Sequence, residues 1–116
     1  MMLKVLVLCL LLHWSSSAHS TKYTVGDSKG WTFNISGWEN GKRFKSGDTL
    51  VFKYAAAYHN VVVVDKSSYD SCTLPSKAKT YNSGNDKLRL TKGPNYFICG
   101  IDGHCQAGMK IAANAA

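Results

Sequence analysis

Apolar and polar positions alternate along most of the chain in runs of about five residues, separated by clusters of Gly, Asn, Asp and Ser. The spacing of an amphipathic helix is nearly absent. In Thr49-Leu50-Val51-Phe52-Lys53-Tyr54, the side chains of Leu50, Phe52 and Tyr54 share one side of an extended chain and those of Val51 and Lys53 the other. One face of that strand is packed and the other partly wet. Val61–Val64 is apolar on both sides and reads as a central strand covered twice, although periodicity alone does not separate it from a buried helix. The pattern predicts strands over Lys22–Val25, Trp31–Phe33, Thr49–Tyr54, Asn60–Asp65, Lys79–Tyr81, Lys87–Leu90, Tyr96–Cys99 and Lys110–Ala113, with one helical turn near Lys66–Cys72. Gly26-Asp27, Ser46-Gly47-Asp48, Asn82-Ser83-Gly84 and Lys92-Gly93-Pro94 supply the turns between them. The expected class is all-β, a sandwich or barrel with one short helical segment.

The first twenty residues follow a different rule. Met1 to Lys4 carries one positive charge, Val5 to Leu12 is an unbroken apolar run, and Ala18 and Ser20 stand three and one before a cut ahead of Thr21. Residues 1–20 therefore read as a secretory signal peptide and residues 21–116 as one exported domain. The apolar run falls short of the roughly 20 residues that cross a bilayer, and no second run follows. A multi-pass membrane protein is excluded.

Export changes what the composition means. Fourteen Lys and Arg, less Lys4, stand against seven acidic residues and leave a net charge of about +6 with His neutral. The basic side chains are scattered from Lys22 to Lys110 instead of forming a run, which disfavours nucleic acid and favours an acidic redox partner or an anionic cell-wall surface. Asn34-Ile35-Ser36 is an N-glycosylation sequon, placing Asn34 on the surface. Cys9 leaves with the signal, so Cys72, Cys99 and Cys105 meet an oxidising compartment as an odd set. One disulfide leaves one sulfur over.

That sulfur has company. Cys99, His104 and Met109 follow one another at intervals of five residues, and all three are soft or borderline metal ligands. Gly100, Gly103 and Gly108 clear side chains from between them, so a tight loop can bring the three to one point. His59, just before Val61–Val64, is a fourth candidate that sheet packing can bring against the loop. Singly, each has a plainer reading: a hydrogen-bonded histidine, a core methionine in register with Ile111 and Ala113, a small buried cysteine. Their joint spacing beside an unpaired sulfur is what points to a metal. If His104 faces that metal from an extended segment, Cys105 faces away and is free to bridge Cys72; a Cys99–Cys105 bridge is the alternative and would destroy the site.

Two imidazoles, a thiolate and a thioether make the donor set of a blue copper electron-transfer centre. Zinc has little use for methionine, and an iron–sulfur cluster wants four cysteines. A cysteine hydrolase built on Cys99 needs a cleft and an oxyanion site of which the sequence shows no sign, and a copper oxidase needs an open coordination position. An enzyme is not expected.

The residues Tyr58-His59-Asn60-Val61, Tyr96-Phe97-Ile98-Cys99, Gly103-His104-Cys105-Gln106 and Gly108-Met109-Lys110-Ile111, with Gly30-Trp31 and Gly47-Asp48 in support, resemble those of the phytocyanins, and within them the plantacyanins or basic blue proteins. The resemblance covers essentially all of Thr21–Ala116. It implies a cupredoxin-like Greek-key β-sandwich binding one type 1 copper ion through His59, Cys99, His104 and Met109, a Cys72–Cys105 disulfide, and an Asn60 that steadies the thiolate from behind by hydrogen bonding. Met109 separates it from stellacyanin-like relatives, which carry glutamine at the axial position. Ile101-Asp102 departs from the aromatic residue and proline common there, which puts local electrostatics and surface hydrophobicity in question. The chain ends at Ala116 with no proline-rich stalk and no apolar tail, so no glycolipid anchor is expected. The expectation is a secreted, monomeric one-electron carrier of the apoplast or cell wall. The alternative is an extracellular signalling or cell-wall module in which copper is structural or incidental.

Overall fold

The computed structural model describes residues 19–116. Apart from His19 and Ser20, the expected signal peptide lies outside the described residues. Seven strands and one α-helix follow in the order β1 (Lys22–Thr24), β2 (Thr49–Lys53), β3 (Val61–Val64), α1 (Lys66–Ser71), β4 (Lys79–Tyr81), β5 (Asn85–Arg89), β6 (Gly93–Ile98) and β7 (Lys110–Ala115), with a single 3-10 turn at Asp27–Lys29 after β1. They form two sheets, one of order β1-β2-β5 and one of order β4-β3-β6-β7. The chain passes from one sheet to the other between β2 and β3, between β4 and β5 and between β5 and β6, so consecutive strands pack across the core. This is the two-layer β architecture with one short helix that the pattern predicts.

Inward alternation builds the main core. Leu50 and Phe52 of β2 and Leu88 of β5 face Val61 of β3, Phe97 of β6 and Ile111, Ala113 and Ala115 of β7, with Trp31, Cys99 and Met109 in the same cluster. The rings of Phe52 and Phe97 meet across it at 5.2 Å. Burying each of the Val, Leu, Ile, Phe and Met side chains contributes roughly 1.5–3 kcal/mol, the main driving force for closing the sandwich.

The far side of the four-stranded sheet carries a second, smaller cluster of Val62, Ile98 and Cys105, covered by Val64, Tyr69, Cys72 and Ala78. Helix α1 places Tyr69 there. Asp65 caps its first turn by accepting the Ser68 amide at 2.9 Å, and the helix ends at Cys72 in the left-handed conformation, φ 55°. The bond between Cys72 and Cys105 fastens this layer to the sheet. Val61–Val64 is thus a central strand, paired with β4 on one side and β6 on the other; it is covered on both faces at Val61 and Val62, while Val63 is 37% exposed, so the double cover expected over the whole strand holds only for its first half.

Two expectations change. Trp31–Phe33 is not a strand. Gly30 at φ 73° and Asn34 at φ 57° turn the chain, and its amides go to separate partners: Trp31 to the Lys53 carbonyl, Asn34 to Ala107 and Ile35 to Gly108. The segment is a strap between the β2 edge and the 100–108 loop. Gly93-Pro94, read as a turn, instead begins β6. Proline is tolerated because β6 at that point pairs only with β7, β3 joining from Tyr96 onward.

Candidate metal centre

The site lies at the end of the sandwich where β2 leads to β3 and β6 leads to β7. Cys99 directly follows β6, and its amide donates to the Met109 carbonyl at 3.0 Å, carrying the β6–β7 pairing one step past the last strand residue. Residues 55–58 form a turn in which both Tyr58 and His59 donate to the Ala55 carbonyl, delivering His59 to the mouth of β3. His104 sits in a run of turns, its amide bonded to Ile101 and its carbonyl accepting from Met109 at 3.1 Å. Three chain segments therefore hold three donors by backbone hydrogen bonds.

The donors converge. His59 Nδ1 and His104 Nδ1 are 3.1 Å apart, and Cys99 Sγ is 3.5 Å from His104 Nδ1. All three ligand atoms lie within 4.8 Å of one another. Cys99 is buried and both histidines are half-buried, so the sulfur is shielded while the rings reach the surface. Burial, and then the proximity of His104, hold the His59 pKa below the ordinary histidine value. Two ring nitrogens and a thiol aimed at one point in a partly dry setting are arranged for a shared cation, and the donor set fits copper.

Met109 is fully buried in the main core beside Cys99, its backbone bonded to both Cys99 and His104. Asn60 links the two ligand segments: its Oδ1 accepts from the Gly100 amide at 2.6 Å, fixing the residue that follows the thiol. Its carbonyl accepts from the Trp31 indole at 2.9 Å. Trp31, which the sequence marks as a strand residue and part of a supporting motif, thus pins the segment that carries His59. Gly100 is needed for closeness: a Cβ there would stand 2.8 Å from Val62. Gly108, at φ 84°, would meet the Asn34 backbone at 3.1 Å.

Cys72 and Cys105 are bonded and Cys99 is the free cysteine of the described residues. The pairing argued from an extended segment holds, but its premise does not. Residues 101–108 are turns, with Ala107 bonded back to Gly103 and His104. In a turn of helical type, neighbours diverge by roughly 100°, which also sends His104 and Cys105 to different sides.

Around the histidine edges lies an open hollow of about 470 Å³ lined by Phe33, Ala57, Tyr58, His59, Ile101 and His104. Its rim is apolar and exposed: Phe33 is 43% accessible, Tyr58 69% and Ile101 41%. The Phe33 ring packs edge-on against both histidines, at 5.3 and 4.7 Å. Phe33 was not singled out by the sequence, where its only signal is one aromatic residue beside a sequon. Asn34 is exposed next to it, and Asp102 is exposed on the loop.

Residues 29–109 match the plastocyanin-like domain family. The chain is 52% identical to a chemocyanin of Lilium longiflorum over 95% of its own length and 87% of the relative's. It superposes on the cucumber basic protein, a blue copper protein, with a TM-score of 0.82 at 53% identity, covering 83% of this chain and all of that one. Spinach plantacyanin gives a TM-score of 0.74 at 51% identity with the same coverage.

Proposed function

Since the chain belongs to the phytocyanins, with a plastocyanin-like domain, we propose that it is a secreted type 1 copper protein that carries single electrons between partner molecules. The observation that carries this reading is the meeting of His59, Cys99 and His104 around one point. Those three side chains would hold the ion, with Met109, buried in the same cluster as Cys99, as a weaker fourth donor. Bound there, copper supplies a one-electron couple between its cupric and cuprous forms.

The chain's own contribution is rigidity and access. Backbone bonds at Cys99, His104 and Met109 and the Asn60–Gly100 bond fix the donors before any ion arrives, so little rearrangement accompanies a change of charge. The core keeps water from the sulfur. Meanwhile the His59 and His104 rings both line the apolar hollow, the side of the site open to a docked partner. A buried thiol opposed by two imidazoles suits a carrier rather than a nucleophilic catalyst, which must meet its substrate.

The reading extends to export as a monomer, in the apoplast or cell wall, with an acidic redox partner or anionic wall surface. Among the described residues no helix is long and apolar enough to cross a membrane. The Asn34 sequon, exposed beside Phe33, would carry its glycan at the rim of the hollow. The test is the visible spectrum of the protein secreted by a eukaryotic host. Added Cu(II) should give an intense blue band that vanishes on reduction and is absent in Cys99→Ser, and the purified chain should begin at Thr21. A colourless Cu(II) adduct would overturn the assignment.

A further inference from the structure

The outer face of the β1-β2-β5 sheet has a role that the metal centre leaves unexplained. Strand register sets its residues in rows: Lys22, Thr49 and Arg89 in the first, Thr24, Val51 and Lys87 in the second, Lys53 and Asn85 in the third. The alternate residues Tyr23, Leu50, Phe52, Asp86 and Leu88 are turned toward the core. The single carboxylate of the three strands, Asp86, thus faces inward, where it accepts hydrogen bonds from Tyr54 and Ser83. Four cations remain on the outer face with no acid among them. Val51 lies among them only 6% exposed and belongs to neither core cluster, so the side chains around it cover it.

We propose that this face docks a linear polycarboxylate, the uronic-acid type of polysaccharide, and so holds the protein on an acidic matrix while the histidine end stays free. The inference rests on the proposed export, not on electron transfer. Charge complementarity carries it, and the face's other features select the polymer. Cations two residues apart on a strand are roughly 7 Å apart, and those flanking β2 about 10 Å, a flat grid suited to a chain of repeating charges. Thr24, Thr49 and Asn85 stand between the cations as hydrogen-bonding groups for sugar hydroxyls. Among these eight side chains there is no aromatic ring for a base to stack on, and the one apolar residue is too covered to enter a bilayer.

The test is binding of the copper-loaded protein to polygalacturonate, with its methyl ester and anionic phospholipid vesicles as comparison probes. The expected result is salt-sensitive binding to the free acid alone. Lys87→Gln/Arg89→Gln should weaken it by about tenfold or more, and Lys66→Gln/Lys77→Gln, which removes equal charge elsewhere, by much less. All four positions are exposed, and an unchanged blue band certifies the fold of each variant. Equal losses in the two double variants, tighter binding to vesicles, or no binding by a protein that is blue would each overturn the proposal. Only loss of the band in the unaltered protein would count against the copper assignment.

Discussion

The two sheets differ in what covers their outer faces, and the difference sorts the molecule by task. The four-stranded sheet is packed on both sides, by the main core and by α1 with the Cys72–Cys105 bond. The three-stranded sheet has one packed side, its other face bearing lysine and arginine. Cys99 extends a strand of the doubly covered sheet, and His59 and Met109 each stand a residue or two ahead of one. Side chains that must keep their spacing are anchored where backbone motion is blocked from both directions. The singly covered face leaves its charged side chains free to meet other molecules.

Removing the cover tests this most severely. Replacing Cys72 and Cys105 by alanine opens a link spanning 33 residues. It should cost about 3–4 kcal/mol on the chain-entropy account, read as a fall in the denaturation midpoint, while copper still binds and the band persists. Loss of the band with stability intact would reverse the relation drawn here.

Paired truncations sharpen it. Val62→Ala under the helix layer should cost about 2 kcal/mol, and Val51→Ala beneath the lysine stems of the open face about 1 kcal/mol or less, both by urea titration. Equal costs would mean that the two covers are equivalent. Trp31→Phe removes the indole donor to Asn60 and leaves that carbonyl unpaired, for about 1–2 kcal/mol. It should also shift the blue band, because the segment carrying His59 loses its tie, whereas a purely structural role would leave the spectrum unmoved.

The smallest effect is at high pH. Tyr54, at the end of β2, donates to Asp86 and reaches the Tyr81 carbonyl of the other sheet at 3.2 Å. Burial, and then the bond to Asp86, raise its pKa from 10.0 to about 12. The unfolded chain loses this proton first, so the contribution is whole below pH 10 and disappears as pH rises through about 12. Tyr54→Phe should flatten that alkaline decline in thermal unfolding.

Much of this was legible along the chain because strands have a short period. Leu50 and Phe52 face the core and Val61–Val64 is central, since alternation is a local property. Trp31–Phe33 misled because its composition is that of a strand while its amides are claimed singly by distant carbonyls. Gly93-Pro94 misled because whether proline interrupts a strand depends on which neighbours are present. The glycines marked a tight loop after Cys99, but taking His104-Cys105 as extended within it fails, because the turns of 101–108 emerge only from bonds that close within it. Phe33 came to the histidines through the strap from Gly30 to Ile35, which no periodicity marks.

The chemistry of the donors belongs to the residues themselves, so an unpaired cysteine, two histidines and a methionine declared a soft metal before any fold was known. Convergence does not. The 3.1 Å between His59 and His104 joins residues 45 positions apart, and it exists because β3 and the loop after β6 are packed against one another. Likewise thirteen scattered basic residues became a basic face only when strand register set four of them on one side of one sheet and turned Asp86 inward. Side-chain identity sets which interactions are available; packing of remote segments decides which of them share a place.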